Sequence, residues 1–205
     1  MGRWSWVCAV AVVLLGPAPA AGEWQIRPAL GLKFGGGTTF VDLDKAAGQP
    51  KLVLSVAGGV LGEVFGIEAD FGRVPGYFQS GDRELIRHLV VGSSVTTLTG
   101  SVVAALPRRL TQYTLRPYAV GGMGLLWVDI VPDEEFPDVA RRVTRRLPAL
   151  NLGGGATGFV TDRFGLNWEL RWFRTVGGTD HGRGDSFGPE VLSFWRANMA
   201  LAFRY

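Results

Sequence analysis

From Glu23 to the end of the chain, apolar and polar residues alternate with a period of two, the signature of strands rather than helices. In the last segment Trp195, Ala197, Met199, Leu201, Phe203 and Tyr205 share one parity, against Arg196, Asn198, Ala200, Ala202 and Arg204 on the other. Residues 165–173 set Leu166, Trp168, Leu170 and Trp172 against Asn167, Glu169 and Arg171. The first such segment sets Trp24, Ile26, Pro28, Leu30, Leu32 and Phe34 against Gln25, Arg27, Ala29, Gly31 and Lys33. Residues 115–127 place Leu115, Pro117, Ala119, Gly121, Met123, Leu125 and Trp127 opposite Arg116, Tyr118, Val120, Gly122 and Gly124. Weaker copies at 51–61, 66–74, 91–105 and 149–161 bring the total to eight predicted strands. Each runs for about 9–15 residues, enough to cross a bilayer as a tilted strand and longer than the usual globular strand.

Parity then decides which side is wet. The apolar parity carries Trp24, Trp168, Trp172, Trp195, Phe203 and Tyr205, read as aromatic girdles at the two ends of a lipid-facing band. The other parity mixes Gly and Ala with Arg27, Lys33, Glu68, Asp70, Arg116, Glu169, Arg171 and Arg196. Small residues let a narrow barrel close, and both charge signs are present, so inward groups are expected to pair in a polar network. Lipid leaves backbone N–H and C=O groups unsatisfied unless the sheet closes on itself. The prediction is an all-β fold, an eight-stranded antiparallel up-and-down transmembrane β-barrel. The competing arrangement is a soluble secreted calyx that binds a lipid-like molecule, in which the apolar parity lines the cavity.

Connections alternate in length. Short ones fall at Gly62–Phe65, Pro107–Tyr113 and Thr161–Phe164, and longer ones at about 35–50, 75–90, 129–148 and 174–192. Outer-membrane barrels have short periplasmic turns and long external loops, so both termini are expected in the periplasm. The third long connection is acidic from Asp133 to Asp138 and then holds Arg141, Arg142, Arg145 and Arg146. Arginine suits contact with anionic groups of the outer leaflet, although a solvated loop is the simpler reading. Asp180, His181 and Asp185 lie among glycines and read as a polar loop; His88, the other histidine, lacks ligand spacing, so no metal site is expected.

Residues 1–20 read as a cleaved signal peptide: Arg3, an apolar run from Trp4 to Leu15, and the pair Ala18 and Ala20 before the cleavage point. The run is too short for a spanning helix. Residues 21–205 are then the barrel domain, and the single cysteine, Cys8, leaves with the leader, so no disulfide is expected. Glycine, at 30 of 205 residues, is about twice its usual share and favours tight turns and close-packed strands. The net charge of +3 does not suggest a nucleic-acid binder.

Catalytic motifs are lacking. The runs Gly35-Gly36-Gly37, Gly121-Gly122 and Gly153-Gly154-Gly155 have no phosphate-loop ending, and no Gly-x-Ser-x-Gly or His-Glu-x-x-His occurs. Ser80-Gly81-Asp82 and Gly184-Asp185-Ser186 have no elbow around them. No enzyme and no cofactor is predicted.

Leader, alternating strands, glycine-rich strand centres and a terminal aromatic strand together resemble the small outer-membrane β-barrel proteins, including the membrane domain of OmpA-like proteins. The segment Leu115-Arg-Pro-Tyr-Ala-Val-Gly-Gly-Met-Gly124 is similar to a strand that recurs in that family. The closing Ala197-Asn-Met-Ala-Leu-Ala-Phe-Arg-Tyr205 resembles the terminal signal read by the barrel-insertion machinery, with Tyr205 where Phe is usual. The resemblance implies a Gram-negative-type outer membrane, with membrane lipids and the insertion machinery as partners. It also implies a monomeric, non-enzymatic protein that is structural or interacts through its long loops with an extracellular ligand the sequence does not name. A narrow pore or transporter for small or apolar solutes is the alternative within the family. The chain ends on the last strand, so the peptidoglycan-gripping role of OmpA-like proteins is not expected.

Overall fold

The computed structural model describes residues 22–38, 48–77, 92–111, 115–131, 143–176 and 191–205. They form eight strands: β1 (Glu23–Thr38), β2 (Lys51–Leu61), β3 (Phe65–Pro75), β4 (Gly92–Ala105), β5 (Leu115–Val131), β6 (Val143–Phe159), β7 (Phe164–Thr175) and β8 (Leu192–Arg204). Each pairs antiparallel with its neighbours in chain order, and β1 pairs with β8, closing the barrel. Among the described residues no helix is long and apolar enough to cross a membrane.

Closure puts the start of β1 and the end of β8 on the same rim. There the backbone N–H of Tyr205 donates to the Trp24 carbonyl at 3.0 Å, and short turns join β2 to β3 and β6 to β7. The Thr161 hydroxyl shapes the second turn by accepting from the Phe164 N–H at 3.0 Å. We call this the terminal rim and the opposite one the loop rim.

Strands reach further toward the loop rim than the apolar pattern suggested. β6 begins at Val143 and not at 149, so Arg145 and Arg146, expected in a loop, are exposed residues of a strand. Val128 pairs there with Arg145 and Trp127 with Arg146. Once a strand has left hydrocarbon its ladder no longer needs an apolar face, so the lipid pattern stops before the strand does. β1 likewise continues through its glycine triplet to Thr38. The pairing to β8 shifts between Phe34 and Gly36, leaving Gly35 as the extra residue of a bulge at φ 54°. Gly36 follows at φ 131°, where a side chain would also collide with the Ser193 carbonyl.

Burial follows parity along each strand. In β3 the pattern strictly alternates from Ile67 to Pro75, with Glu68, Asp70, Gly72 and Val74 inside. The charged parity lines the lumen and the apolar parity faces out, which rules out the soluble calyx.

Candidate functional site

Lumen and outer wall are the two places where side chains do something beyond pairing strands. The lumen is built in layers. At its centre Glu68 of β3 pairs with Arg27 of β1 and, at 2.7 Å, with Arg171 of β7. Arg171 also reaches Glu169 at 2.5 Å. Glu169 lies 3.9 Å from Arg196 of β8, which donates to Asp70 at 2.8 Å. Three arginines thus meet three carboxylates, all under a tenth exposed, and the cluster is formally neutral. Tyr118 of β5 braces it: its hydroxyl donates to Glu169 at 2.9 Å and accepts from Arg27 Nη1 at 3.1 Å. Asn167 donates to the same hydroxyl at 2.9 Å and to Thr157, by a shared amide, at 2.8 Å. The Tyr118 ring lies over Gly155, its partner on β6, where a Cβ would stand 2.8 Å from the phenolic oxygen.

Two residues expected in this network work elsewhere. Arg116 sits nearer the terminal rim and donates to the carbonyls of Leu106, Gly62 and Glu63 at 3.0, 2.8 and 2.7 Å, tying two turns together. Its guanidinium matches backbone acceptors because the turns fold across the rim beside it. Glu23 beside it pairs with Arg108 and, at 3.5 Å, with Arg204. Lys33 lies above the network and donates to the Gln49 carbonyl at 3.0 Å.

Toward the loop rim the lumen turns apolar. Val53, Val74, Val95, Leu126, Val128 and Leu192 are at most 1% exposed and pack around an aromatic column. Arg196 lies 4.8 Å under the Phe173 ring, Phe173 stacks on Phe194 at 5.1 Å, and Tyr77 meets Phe194 edge-on at 5.6 Å. The Lys33 ammonium ends the column 4.1 Å from the Tyr77 ring. Tyr77 lies just beyond β3, where Gly76 at φ 64° turns the chain inward. Two gaps beside the charged layer hold about 20 and 10 Å³, on the scale of one water each.

On the outer wall Trp24, Trp168, Trp195 and Tyr205 are 63, 47, 41 and 82% exposed. Trp172 and Phe203 point the same way but are half covered, by Trp195 at 6.5 Å and Phe164 at 5.6 Å. Trp168 was expected near a strand end; it stands in mid-strand between Ala156 and Met199, inside the apolar band and not at its rim. The small neighbour Ala156 leaves the ring room there.

Of the arginines expected at the outer leaflet, Arg141 and Arg142 lie outside the described residues, as do His88, Asp180, His181, Asp185 and the Ser80 and Ser186 segments. Among the described residues no group of His, Cys, Asp and Glu is arranged to hold a metal. Tyr118, Asn167 and the aromatic column escaped the sequence reading as site residues. Their signal was present in the inward parity, which continues past Gly124 to Leu126 and Val128 and includes Phe173 and Phe194.

No protein-family model matches the chain, and no curated protein sequence matches it significantly. Solved structures do. Neisserial surface protein A superposes with a TM-score of 0.61 at 11% identity, over 89% of this chain and 97% of that one. Outer membrane protein OprG from Pseudomonas aeruginosa gives 0.60 at 12%, over 90% and 96%. The N-terminal β-barrel domain of OprF from the same organism gives 0.52 at 15%, over 90% and 100%. The fold is that of the small outer-membrane β-barrels, and the apolar outer wall is a surface for membrane lipid.

Proposed function

We propose that the protein is a filled barrel of a Gram-negative-type outer membrane, acting through its surface and not through its lumen or by catalysis. One observation carries this: two seals of opposite chemistry lie in series across the lumen, the neutral ion-pair layer and the apolar column above it. An eight-stranded barrel has room for side chains or one small ligand, and here side chains occupy it. A solute path would have to strip ion pairs and then cross a dry layer.

On this reading residues 1–20 are removed, 21–205 form the barrel, and the terminal rim faces the periplasm because the short turns lie there. Ala197–Tyr205 is the segment read by the insertion machinery. The barrel works as a monomer, with its long connections outside the cell. The lumen residues Arg27, Glu68, Asp70, Glu169, Arg171 and Arg196 hold the barrel together, and the outward Trp24, Trp168, Trp172, Trp195, Phe203 and Tyr205 seat it in lipid.

Fractionation with gel mobility tests the location: the protein should enter the outer-membrane fraction and migrate differently before and after boiling. Recovery as a soluble periplasmic protein would sink the reading. Planar-bilayer recording tests the seals, and steady single-channel currents from the wild type would contradict them.

A further inference from the structure

On the outer wall of β6–β8, Gly154 leaves a gap bounded by Leu152, Leu170, Trp172 and Trp195, a groove of about 670 Å³ lined almost wholly by apolar atoms. The register sets its order. Leu152, Trp172 and Trp195 are cross-strand neighbours in one row, and Gly154, Leu170 and Ala197 form the next row toward the terminal rim. The two indoles tilt at 40° with centroids 6.5 Å apart and close the groove on its β7–β8 side.

Two residues past Trp172, on the same outward parity and toward the loop rim, stands exposed Arg174, flanked by Leu150 and Ser193. Exposed Arg146 continues the outward parity of β6 beyond Leu150 and Pro148. Among the described residues no carboxylate pairs with either arginine. On β5 beside them Asp129 accepts from its cross-strand partner Thr144 at 2.8 Å. At the terminal rim the pattern is different: Arg108 and Arg204 pair with Glu23.

An apolar groove crowned by two guanidiniums that have no carboxylate partner among the described residues is complementary to an acyl chain beneath an anionic phosphate. Guanidinium binds phosphate through two parallel N–H donors, and an arginine on a lipid-facing wall costs least near the interface. We infer that this wall binds one phosphorylated glycolipid of the outer leaflet, an acyl chain in the Gly154 groove and phosphate on Arg174 and Arg146. The inference rests on the outer-membrane orientation proposed above. That orientation places both arginines in the outer leaflet, on adjacent strands with Arg146 four residues along β6 from Leu150, the partner of Arg174, so that each can take a separate phosphate of one headgroup.

Native mass spectrometry of the purified full-length mature barrel, refolded with bisphosphorylated lipid A, tests it. The wild type should retain one lipid A per barrel. R146A/R174A should lose retention at least tenfold, and R146K/R174K should recover part of it, since lysine keeps the charge without the fork. Dephosphorylated lipid A should be lost like the double alanine variant. Equal retention by wild type and R146A/R174A would overturn the inference, as would equal retention of phosphatidylglycerol, or a lipid-free dimer. Gel mobility is read on each sample: a barrel that folds yet retains nothing refutes the lipid site alone, whereas a wild type that never shows the folded form refutes the membrane-barrel reading beneath it.

Discussion

Glu68 is the residue on which most depends, because it is 5% exposed and bridges two arginines that come from opposite parts of the chain. Removing one partner of a buried ion pair leaves charge without compensation, at about 3–5 kcal/mol. Glu68→Gln should therefore lower stability by about that amount in urea unfolding from lipid vesicles. E68Q/R171M should cost less than the two single changes added, because it removes both members of one contact. Sequence gave no route to this particular geometry. It showed which residues share the inward parity, but pairing across the lumen depends on closure and register, which alternation does not encode. Tyr118 is the instructive case: past Arg116 its inward parity runs on through Val120, Gly122 and Gly124, and amid such small neighbours a large polar ring has room to reach across the barrel.

At the scale of the element, the strands were legible in their middles and not at their ends. Apolar alternation reports contact with lipid, so it located β7 and β8 well and lost β6 between 143 and 148, where Arg145, Arg146 and Pro148 look like loop. The glycine triplet in β1 resembled a break and is a bulge. Gly36→Ala, forced into an unfavourable φ against the Ser193 carbonyl, should cost about 1–3 kcal/mol, measured by the same vesicle unfolding. The lipid face makes a second prediction for β1. Leu30, midway along the strand and 59% exposed, should tolerate arginine poorly, at about 2–4 kcal/mol, while Trp24→Arg near the rim should cost about 0–1 kcal/mol. Equal costs at the two sites would contradict the placement of the bilayer along β1.

For the whole molecule, the two seals predict how hard the barrel is to open. Tyr77→Ala removes the outermost ring of the column but leaves Phe173, Phe194 and the charged layer in place. It should stay electrically silent in planar bilayers, and so should E68Q alone. Current is expected only when both layers are breached, as in Y77A/F173A/F194A combined with E68Q. The architecture itself, eight strands closing in chain order with both ends on one rim, followed from strand length, even count and the alternation of short and long connections. The layered lumen did not, because toward the loop rim the inward positions turn to Val, Leu and Phe while Arg146 and Arg174 stand outside, so the polarity of the two faces no longer follows the alternation read lower down.

The neutrality of the charged layer also constrains assembly. Taken singly, β1 brings Arg27 and β8 brings Arg196, while β3 brings Glu68 and Asp70. The β1–β2 and β3–β4 hairpins and the two four-strand halves, β1–β4 and β5–β8, therefore carry unbalanced network charge on the face that will become the lumen. The balance is reached only when the first and last strands have both swung round to meet the third. Closure of the seam is thus reported by Glu68 and Asp70 on β3, away from the seam, which meet arginines from both of its strands. This makes a partly zipped sheet a poor resting point in lipid and favours the completed cylinder as a cooperative outcome.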